Sequence, residues 1–172
     1  MWRSIAAFGL TVACLSSAAA QPPADAASVE AIVSALYATI SGPAGERDWG
    51  RFRGLFAEGA RLIPTARPES GPWVPRVLTV DGYIQRTQGY FAQTPFYERE
   101  AARVVERYGA IAHVFSTYES RTAPDADPFV RGINSIQLFF DGTRWWVVSV
   151  LWDDERGAGS IPDRYRSTDR SR

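Results

Sequence analysis

The sequence offers few side chains for acid–base, nucleophilic or metal chemistry. Its 172 residues include a single histidine, His113, and a single cysteine, Cys14. A zinc site built from cysteine and histidine is therefore excluded, because such sites need three or four of these ligands. His113 has the chemistry of a general base, and the acidic run 153–155 has the side chains of a metal site.

The acidic residues have simpler explanations than catalysis. Three consecutive acids at a strand end point in different directions, and Arg156 follows them as a neutralising charge, so we expect no metal at residues 153–155. Asp48 is placed to stabilise the start of a helix, whereas Glu58 either reaches a cavity or is solvated. The segment 98–107 is rich in Glu and Arg and is expected to be a solvated edge strand.

The composition is that of one globular domain without a nucleic-acid partner. Hydrophobic residues make up 45% and charged residues 22%, and 19 basic residues, all arginine, balance 19 acidic ones. Such values are ordinary for a folded domain, and this length suits one domain. Nucleic-acid binding needs an excess of basic charge.

The N-terminus has the parts of a secretory signal. Arg3 precedes an apolar run over residues 5–15, and Ala18 and Ala20 provide small residues at the spacing that signal peptidase recognises. We predict cleavage after Ala20 and export to the periplasm or outside a bacterial cell. The apolar run is too short to span a membrane, and no later segment approaches that length. Lipidation at Cys14 is the alternative, although Thr-Val-Ala is a poor motif before it.

The periodicity predicts three helices followed by long strands. Residues 21–27 are expected to be disordered, and a domain follows over 28–156 with a polar tail over 157–172. Ser28 and Thr79 are expected to cap two of the helices. The remaining elements are a helix from near Glu46 to Gly59, a short strand at 61–63, a loop at 65–75, and strands at 97–108, 111–120, 131–140 and 143–153.

This element order predicts an α+β fold, with three N-terminal helices on one face of a curved antiparallel sheet. Two segments, Leu55-Phe56-Ala57-Glu58-Gly59-Ala60-Arg61-Leu62 after Trp49 and Phe52, and Asp141-Gly142-x-x-Trp145-Trp146-Val147-Val148, resemble the NTF2-like superfamily. That superfamily includes ketosteroid isomerases, scytalone dehydratase and SnoaL-type cyclases. The resemblance covers about residues 28–155. It implies a cone-shaped domain and a homodimer formed through the outer sheet face.

The last hairpin predicts which side chains share a face. We expect Asp141-Gly142 to form a two-residue type I′ turn, which makes residue numbers of paired positions sum to 283. The resulting inner face suggests a ligand cavity, although its small residues could instead lie under bulky helix side chains. Cavity candidates are Tyr37, Trp49, Tyr83, Ser116, Tyr118, Asn134, Trp145 and Ser149. The outer face is also apolar, and its candidates for a dimer interface are His113, Phe115, Ile133, Gln137, Trp146 and Val148.

Three functions remain open at this point. They are the binding of a small, mainly apolar ligand, acid–base enzymology of the SnoaL or ketosteroid isomerase kind, and a dimeric interaction module with a filled core. The base position that the resemblance implies falls at or near Pro64, which cannot ionise, and His113 is expected to face outward. We therefore assign no catalytic residue, predict no metal or cofactor, and favour ligand binding. A buried carboxylate or an inward histidine would favour the enzyme instead.

Overall fold

A computed structural model describes residues 23–66 and 71–166. The predicted signal segment and the last six residues lie outside this part of the chain. The helices are α1 Val29–Ile40, α2 Trp49–Arg53, α3 Val80–Gln93 and α4 Glu155–Ala158. The strands are β1 Phe56–Ala66, β2 Val74–Pro75, β3 Leu78–Thr79, β4 Tyr97–Tyr108, β5 Ile111–Arg121, β6 Val130–Phe140 and β7 Trp145–Asp154.

The helix starts follow the capping residues that the sequence indicates. Ser28 accepts a hydrogen bond from the Ala31 amide, and Thr79 accepts one from the Gly82 amide. Asp48 caps α2 in the same way, because a side-chain oxygen there satisfies an amide that has no partner within the helix. No helix in the described ranges is long and apolar enough to cross a membrane.

The second helix and the first strand differ from the prediction. The predicted helix to Gly59 is wrong, since α2 ends at Arg53 and β1 already starts at Phe56. The aromatic spacing that suggested a helix also suits a short turn followed by a strand. β1 runs on through Pro64, whose Cα pairs with that of Trp152 in a parallel ladder.

The sheet is mixed, with strand order β2-β1-β7-β6-β5-β4 and β3 beside β1. β1 pairs with β7 in parallel, and the other neighbours are antiparallel. This confirms the α+β class, with the parallel pair as an addition to the expected antiparallel sheet. Residues from α1, α2, α3 and the inner face of the sheet form one core.

The predicted type I′ turn is wrong. Phe140 pairs with Trp145, so four residues connect the strands. In the described chain only glycines have positive φ, among them Gly142 at 98°, so Asp141 does not adopt the turn conformation that type I′ requires. Instead, the Asp141 carboxylate accepts the amides of Thr143 and Arg144.

A bulge in β7 then reverses the face of its second half. Leu138 pairs with Val147, whereas Gln137 pairs with Ser149, which leaves Val148 as the extra residue. One extra residue moves every later side chain to the opposite face. Ser149 therefore lies on the outer face, and the prediction that placed it in the cavity is wrong.

The end of the described chain covers part of the outer face. Ile161 is buried, the Tyr165 ring packs on Phe115 at 4.9 Å, and Thr117 Oγ1 donates to the Tyr165 carbonyl at 2.5 Å. Within the predicted polar tail, residues 161–165 therefore pack on the outer face of the sheet. A second subunit is not needed to cover Phe115.

The segment before α1 is also ordered in part. Residues Ala24–Ala26 form a short 3₁₀ helix in which Ala26 is fully buried. Asp25 forms an ion pair with Arg51 at 2.6 Å. Disorder is therefore the wrong expectation for these three residues, because one apolar side chain and one salt bridge attach them to the domain.

Candidate functional site

A cavity of about 280 Å³ lies between the helices and the inner face of the sheet. Its size lies just below the range of about 300–1,000 Å³ that is typical for small-molecule sites. Half of its sixteen lining residues are aromatic, and Glu98 is the only one with a charged side chain. The lining residues are Leu36, Tyr37, Ile40, Phe52, Leu62, Tyr83, Thr87, Tyr90, Phe91, Phe96, Glu98, Tyr118, Asn134, Ile136, Val150 and Trp152.

A bulge in β4 brings Glu98 into this cavity. Ala102 pairs with Thr117, whereas Glu100 pairs with Tyr118, so Ala101 is the extra residue. Without it, Glu98 and Glu100 would face outward. The prediction of a solvated edge strand is therefore wrong for these two glutamates. Glu98 provides an inward carboxylate, the feature that favours an enzyme over a binding protein.

Glu98 is half-buried in the cavity wall. Its Oε2 accepts a hydrogen bond from Ser120 Oγ at 2.7 Å, and no arginine in the described ranges pairs with it. Burial raises the pKa of Glu98 to about 7, against the opposing hydrogen bonds from Ser120 and Asn134. Glu98 can therefore take up and release a proton near neutral pH.

Three tyrosines surround Glu98. Tyr37 comes from α1, Tyr83 from α3 and Tyr118 from β5, and all three line the cavity. Burial, and then the nearby Glu98 charge, raises the pKa of each phenol above its usual value. All three phenols therefore stay protonated at neutral pH and can donate hydrogen bonds.

Tyr118 has a phenol with no hydrogen-bond partner in the part of the chain that is described, although its side chain is 96% buried. Its hydroxyl lies over Gly132, where an added Cβ would come within 2.5 Å of Tyr118 Oη. An added Cβ would also clash with the backbone carbonyl oxygen of Asp153, so glycine is required at position 132. The Tyr118 oxygen is not fully enclosed, so a phenol without a partner in the described chain is available for a ligand oxygen.

A second glutamate on the same strand has a different environment. Glu100 forms an ion pair with Arg103, and its Oε1 accepts from Ser116 Oγ at 2.5 Å. Tyr37 Oη lies 2.6 Å from Ser116 Oγ, and Asn134 Nδ2 donates to Tyr37 Oη at 3.1 Å. Glu100 therefore has a cationic partner, unlike Glu98, and lies outside the cavity lining.

The structure brings four of the predicted cavity residues to the cavity: Tyr37, Tyr83, Tyr118 and Asn134. Ser116 lies one hydrogen bond behind them, on Tyr37. Trp49 and Trp145 are not among the lining residues. Trp49 is in the core against Phe52 and Phe91, and Trp145 packs on Phe140.

His113 lies on the outer face, where the sequence predicted it. Its Nε2 is 3.1 Å from Ser135 Oγ, and its Nδ1 is 3.5 Å from Glu106. The other predicted interface residues, Phe115, Ile133, Gln137, Trp146 and Val148, are also on this side of the sheet. Glu58 is exposed on β1, and Asp154 pairs with Arg156.

Sequence reasoning missed Glu98, Val150 and Trp152. The charges around Glu98 predict a solvated edge, and alternation carried through β7 places Val150 and Trp152 on the outer face. The bulges in β4 and β7 turn all three side chains inward. Neither bulge contains glycine, the residue that gives a bulge its clearest sequence signal. Only the charges at 98 and 100 inside an otherwise amphipathic strand could have suggested an irregular register.

Solved structures with the same fold are dissimilar in sequence. A protein of unknown function with a cystatin-like fold from Nostoc punctiforme has a TM-score of 0.57 at 8% identity, covering 75% of this chain and 90% of that one. A protein of unknown function from Mycobacterium tuberculosis gives 0.55 at 13% identity, covering 73% and 69%. An NTF2-like protein of unknown function from Silicibacter pomeroyi gives 0.51 at 16% identity, covering 73% and 92%.

These comparisons show the fold. The chain has the NTF2-like architecture that the sequence resemblance implied. Neither the known protein-family models nor the curated protein sequences give a significant match.

Proposed function

We propose that the protein is an acid–base enzyme that moves a proton on a small, uncharged, mainly apolar molecule, with Glu98 as the base. The observation that supports this is a carboxyl group facing an aromatic cavity without a cationic partner in the described chain. A general base works best when its pKa is close to the working pH. Since Glu98 is the only charged side chain among the described residues that line the cavity, anionic substrates are disfavoured.

Glu98 and Tyr118 have complementary roles in such a reaction. The Glu98 carboxylate takes a proton from a carbon next to a carbonyl group, and the electron pair of that bond forms an enolate. The Tyr118 phenol donates a hydrogen bond to the enolate oxygen, where negative charge develops. The protonated Glu98 then returns the proton to carbon, so the base is regenerated.

The experiment is hydrogen–deuterium exchange into small ketones. Cyclohexanone and 2-cyclohexen-1-one are incubated with the protein in D₂O, and NMR follows deuterium at the carbons next to the carbonyl. We expect catalysed exchange that rises with pH up to about 7, and a loss of about 100-fold or more in Glu98→Gln. Exposed Glu58 provides the matched control, so Glu58→Gln should exchange like the wild type.

Exchange that persists in Glu98→Gln would refute the role of Glu98. No exchange in any variant, together with tight binding of either ketone, would instead favour binding without catalysis. The aromatic half of the cavity lining favours that second function. The presence of a cavity disfavours the third, an interaction module with a filled core.

Export and dimer formation complete the proposal. The signal-like first twenty residues support export, which the mass of the native N-terminus tests. Residues 161–165 cover only part of the outer sheet face. On the rest of this face, Phe139, Val148 and Leu151 each expose 40% or more of their surface. Such a patch suits a second copy of the chain. Val148→Asp should then shift the mass in light scattering from dimer to monomer, and a monomeric wild type would refute the dimer.

A further inference from the structure

Asn134 presents an unused hydrogen-bond acceptor to the cavity. The residue is only 8% exposed and lines the cavity wall. Its Nδ2 donates to Tyr37, whereas its Oδ1 has no hydrogen-bond partner in the described chain. Among the described residues, the fully enclosed side-chain atoms without a partner belong to Arg103 and Arg121. Asn134 Oδ1 is therefore not sealed within the protein, and it is accessible from the cavity.

A series of hydrogen bonds decides which end of the Asn134 amide is left for a ligand. Ser116 donates its one hydroxyl hydrogen to Glu100 Oε1 at 2.5 Å. Tyr37 Oη lies 2.6 Å from Ser116 Oγ and must therefore be the donor of that pair. Because its hydrogen is used there, the Tyr37 oxygen accepts from Asn134 Nδ2, at 3.1 Å. The amide nitrogen is thus turned towards Tyr37, and the oxygen remains for a ligand.

The position of Asn134 relative to Tyr118 sets the spacing of the groups that a ligand must carry. Tyr118 Oη lies over Gly132. Gly132 and Asn134 are two residues apart on β6 and share its inner face, with Cα atoms roughly 7 Å apart. A ligand oxygen bound by Tyr118 and a ligand donor bound by Asn134 are therefore well separated. Opposite positions of a six-membered ring provide such a separation, whereas neighbouring positions do not.

We propose that Asn134 is a specificity-determining residue whose Oδ1 accepts a hydrogen bond from a hydroxyl group of the substrate. This inference rests on the proposed function and narrows its substrate to an uncharged hydroxyketone, with the carbonyl oxygen on Tyr118 and the hydroxyl group on Asn134. A second carbonyl group in place of the hydroxyl is disfavoured, because two acceptors would then face each other without a hydrogen.

The test compares two ring ketones of similar size that differ at the carbon opposite the carbonyl group. 4-Hydroxycyclohexanone has a donor there, and 1,4-cyclohexanedione has only an acceptor. Dissociation constants are measured by ligand-observed NMR. We expect the wild type to bind the hydroxyketone about five- to tenfold more tightly than the dione. Asn134→Ala should bring this ratio close to one, while its unchanged affinity for unsubstituted cyclohexanone would show that the cavity is intact.

A second variant tests the direction of the amide. Ser116→Ala frees the Tyr37 hydrogen, so the Asn134 amide can turn and present its NH₂ group to the ligand. We expect the preference for the hydroxyketone to fall close to one in this variant and to return in Ser116→Thr, which keeps a hydroxyl group. Thr117→Ala is the matched control. It removes the neighbouring buried hydroxyl on the outer face and should retain the wild-type preference.

The outcomes separate this inference from the role of the base. A preference for the hydroxyketone that persists in Asn134→Ala would overturn the proposal and assign the hydroxyl group to another acceptor, such as Glu98. Failure of the wild type to bind the hydroxyketone more tightly than the dione would also overturn it. These measurements need no turnover. Absence of deuterium exchange would therefore refute Glu98 as the base, while the dissociation constants would still decide the role of Asn134.

Discussion

Glu98 and Glu119 lie at the same end of two paired strands and on opposite faces of the sheet. Glu98 pairs with Ser120 in the ladder, and Arg99 pairs with Glu119. On the inner face, Glu98 has hydroxyl and amide donors but no arginine partner in the described chain. On the outer face, Glu119 accepts hydrogen bonds from three arginines, Arg99, Arg121 and Arg131.

The two environments move the same functional group in opposite directions. Burial alone would raise the pKa of Glu119, but hydrogen bonds from its three arginines outweigh it and hold the pKa at about 2. Burial without such partners raises the pKa of Glu98 to about 7. A carboxylate with arginine partners stabilises the fold, whereas one without them is left free to exchange protons.

The largest expected effect is on stability as a function of pH. The pKa of Glu98 is raised on folding, so its contribution is fully favourable below about 4.5 and is lost as the pH rises towards 7. The loss amounts to at most about 3 kcal/mol of unfolding free energy. Denaturant unfolding between pH 4.5 and 8 should show this decline in the wild type and a flatter profile in Glu98→Gln. Parallel stability profiles in the wild type and in Glu98→Gln would show that Glu98 does not cause the decline.

Removing the charge of Glu119 tests the other face. Glu119→Gln leaves the buried Arg121 guanidinium without its carboxylate, and should lower the unfolding free energy by about 2 kcal/mol at pH 7. Its neighbour Arg99 is more exposed, so the control Arg99→Gln should cost less than about 1 kcal/mol. Equal losses in the two variants would show that Arg121 does not depend on Glu119.

The stabilising effect of Glu119 should also vanish in acid. Its pKa is lowered on folding, so the contribution is present above about 4.5 and disappears as the pH falls towards 2. The difference in stability between wild type and Glu119→Gln should therefore shrink over this range in urea unfolding. A difference that stays constant down to pH 2 would mean that the charge of Glu119 is not what stabilises the fold.

The smallest expected effect concerns Ser120, which donates to Glu98 at 2.7 Å. Ser120→Ala removes a bond that favours the carboxylate, and should raise the Glu98 pKa by about half a unit to one unit. A ¹³C NMR titration of the Glu98 carboxyl group in Ser120→Ala and wild-type protein measures this shift directly. A lower midpoint would show that the hydroxyl does not stabilise the ionised form.

How far the sequence predicts this molecule depends on where its strands are regular. Caps at Ser28 and Thr79, the α+β class and the outward position of His113 follow from local patterns, since alternation holds along β5 and β6. The bulges at Ala101 and Val148 break that alternation and reverse a strand face. Whether and where a strand contains such a bulge depends on its pairing with neighbouring strands. The sequence of a single strand does not contain that information.

The same reason explains why the site was only half predicted. Tyr37, Tyr83, Tyr118 and Asn134 lie on regular elements and reach the cavity as expected. A bulge reverses the faces of Glu98 and Trp152, and the charges around Glu98 indicate a solvated edge instead of a cavity wall. The misplaced glutamate was the feature that distinguishes ligand binding from acid–base catalysis.

The most direct test of the account places both glutamates in one spectrum. Glutamate-labelled wild-type protein is titrated by ¹³C NMR from pH 2 to 9, with Glu98→Gln and Glu119→Gln used to assign the two carboxyl signals. We predict a midpoint of about 7 for Glu98 and about 2 for Glu119. A Glu98 signal that titrates near 4.5, as a solvated glutamate does, would contradict its role as the base of the cavity.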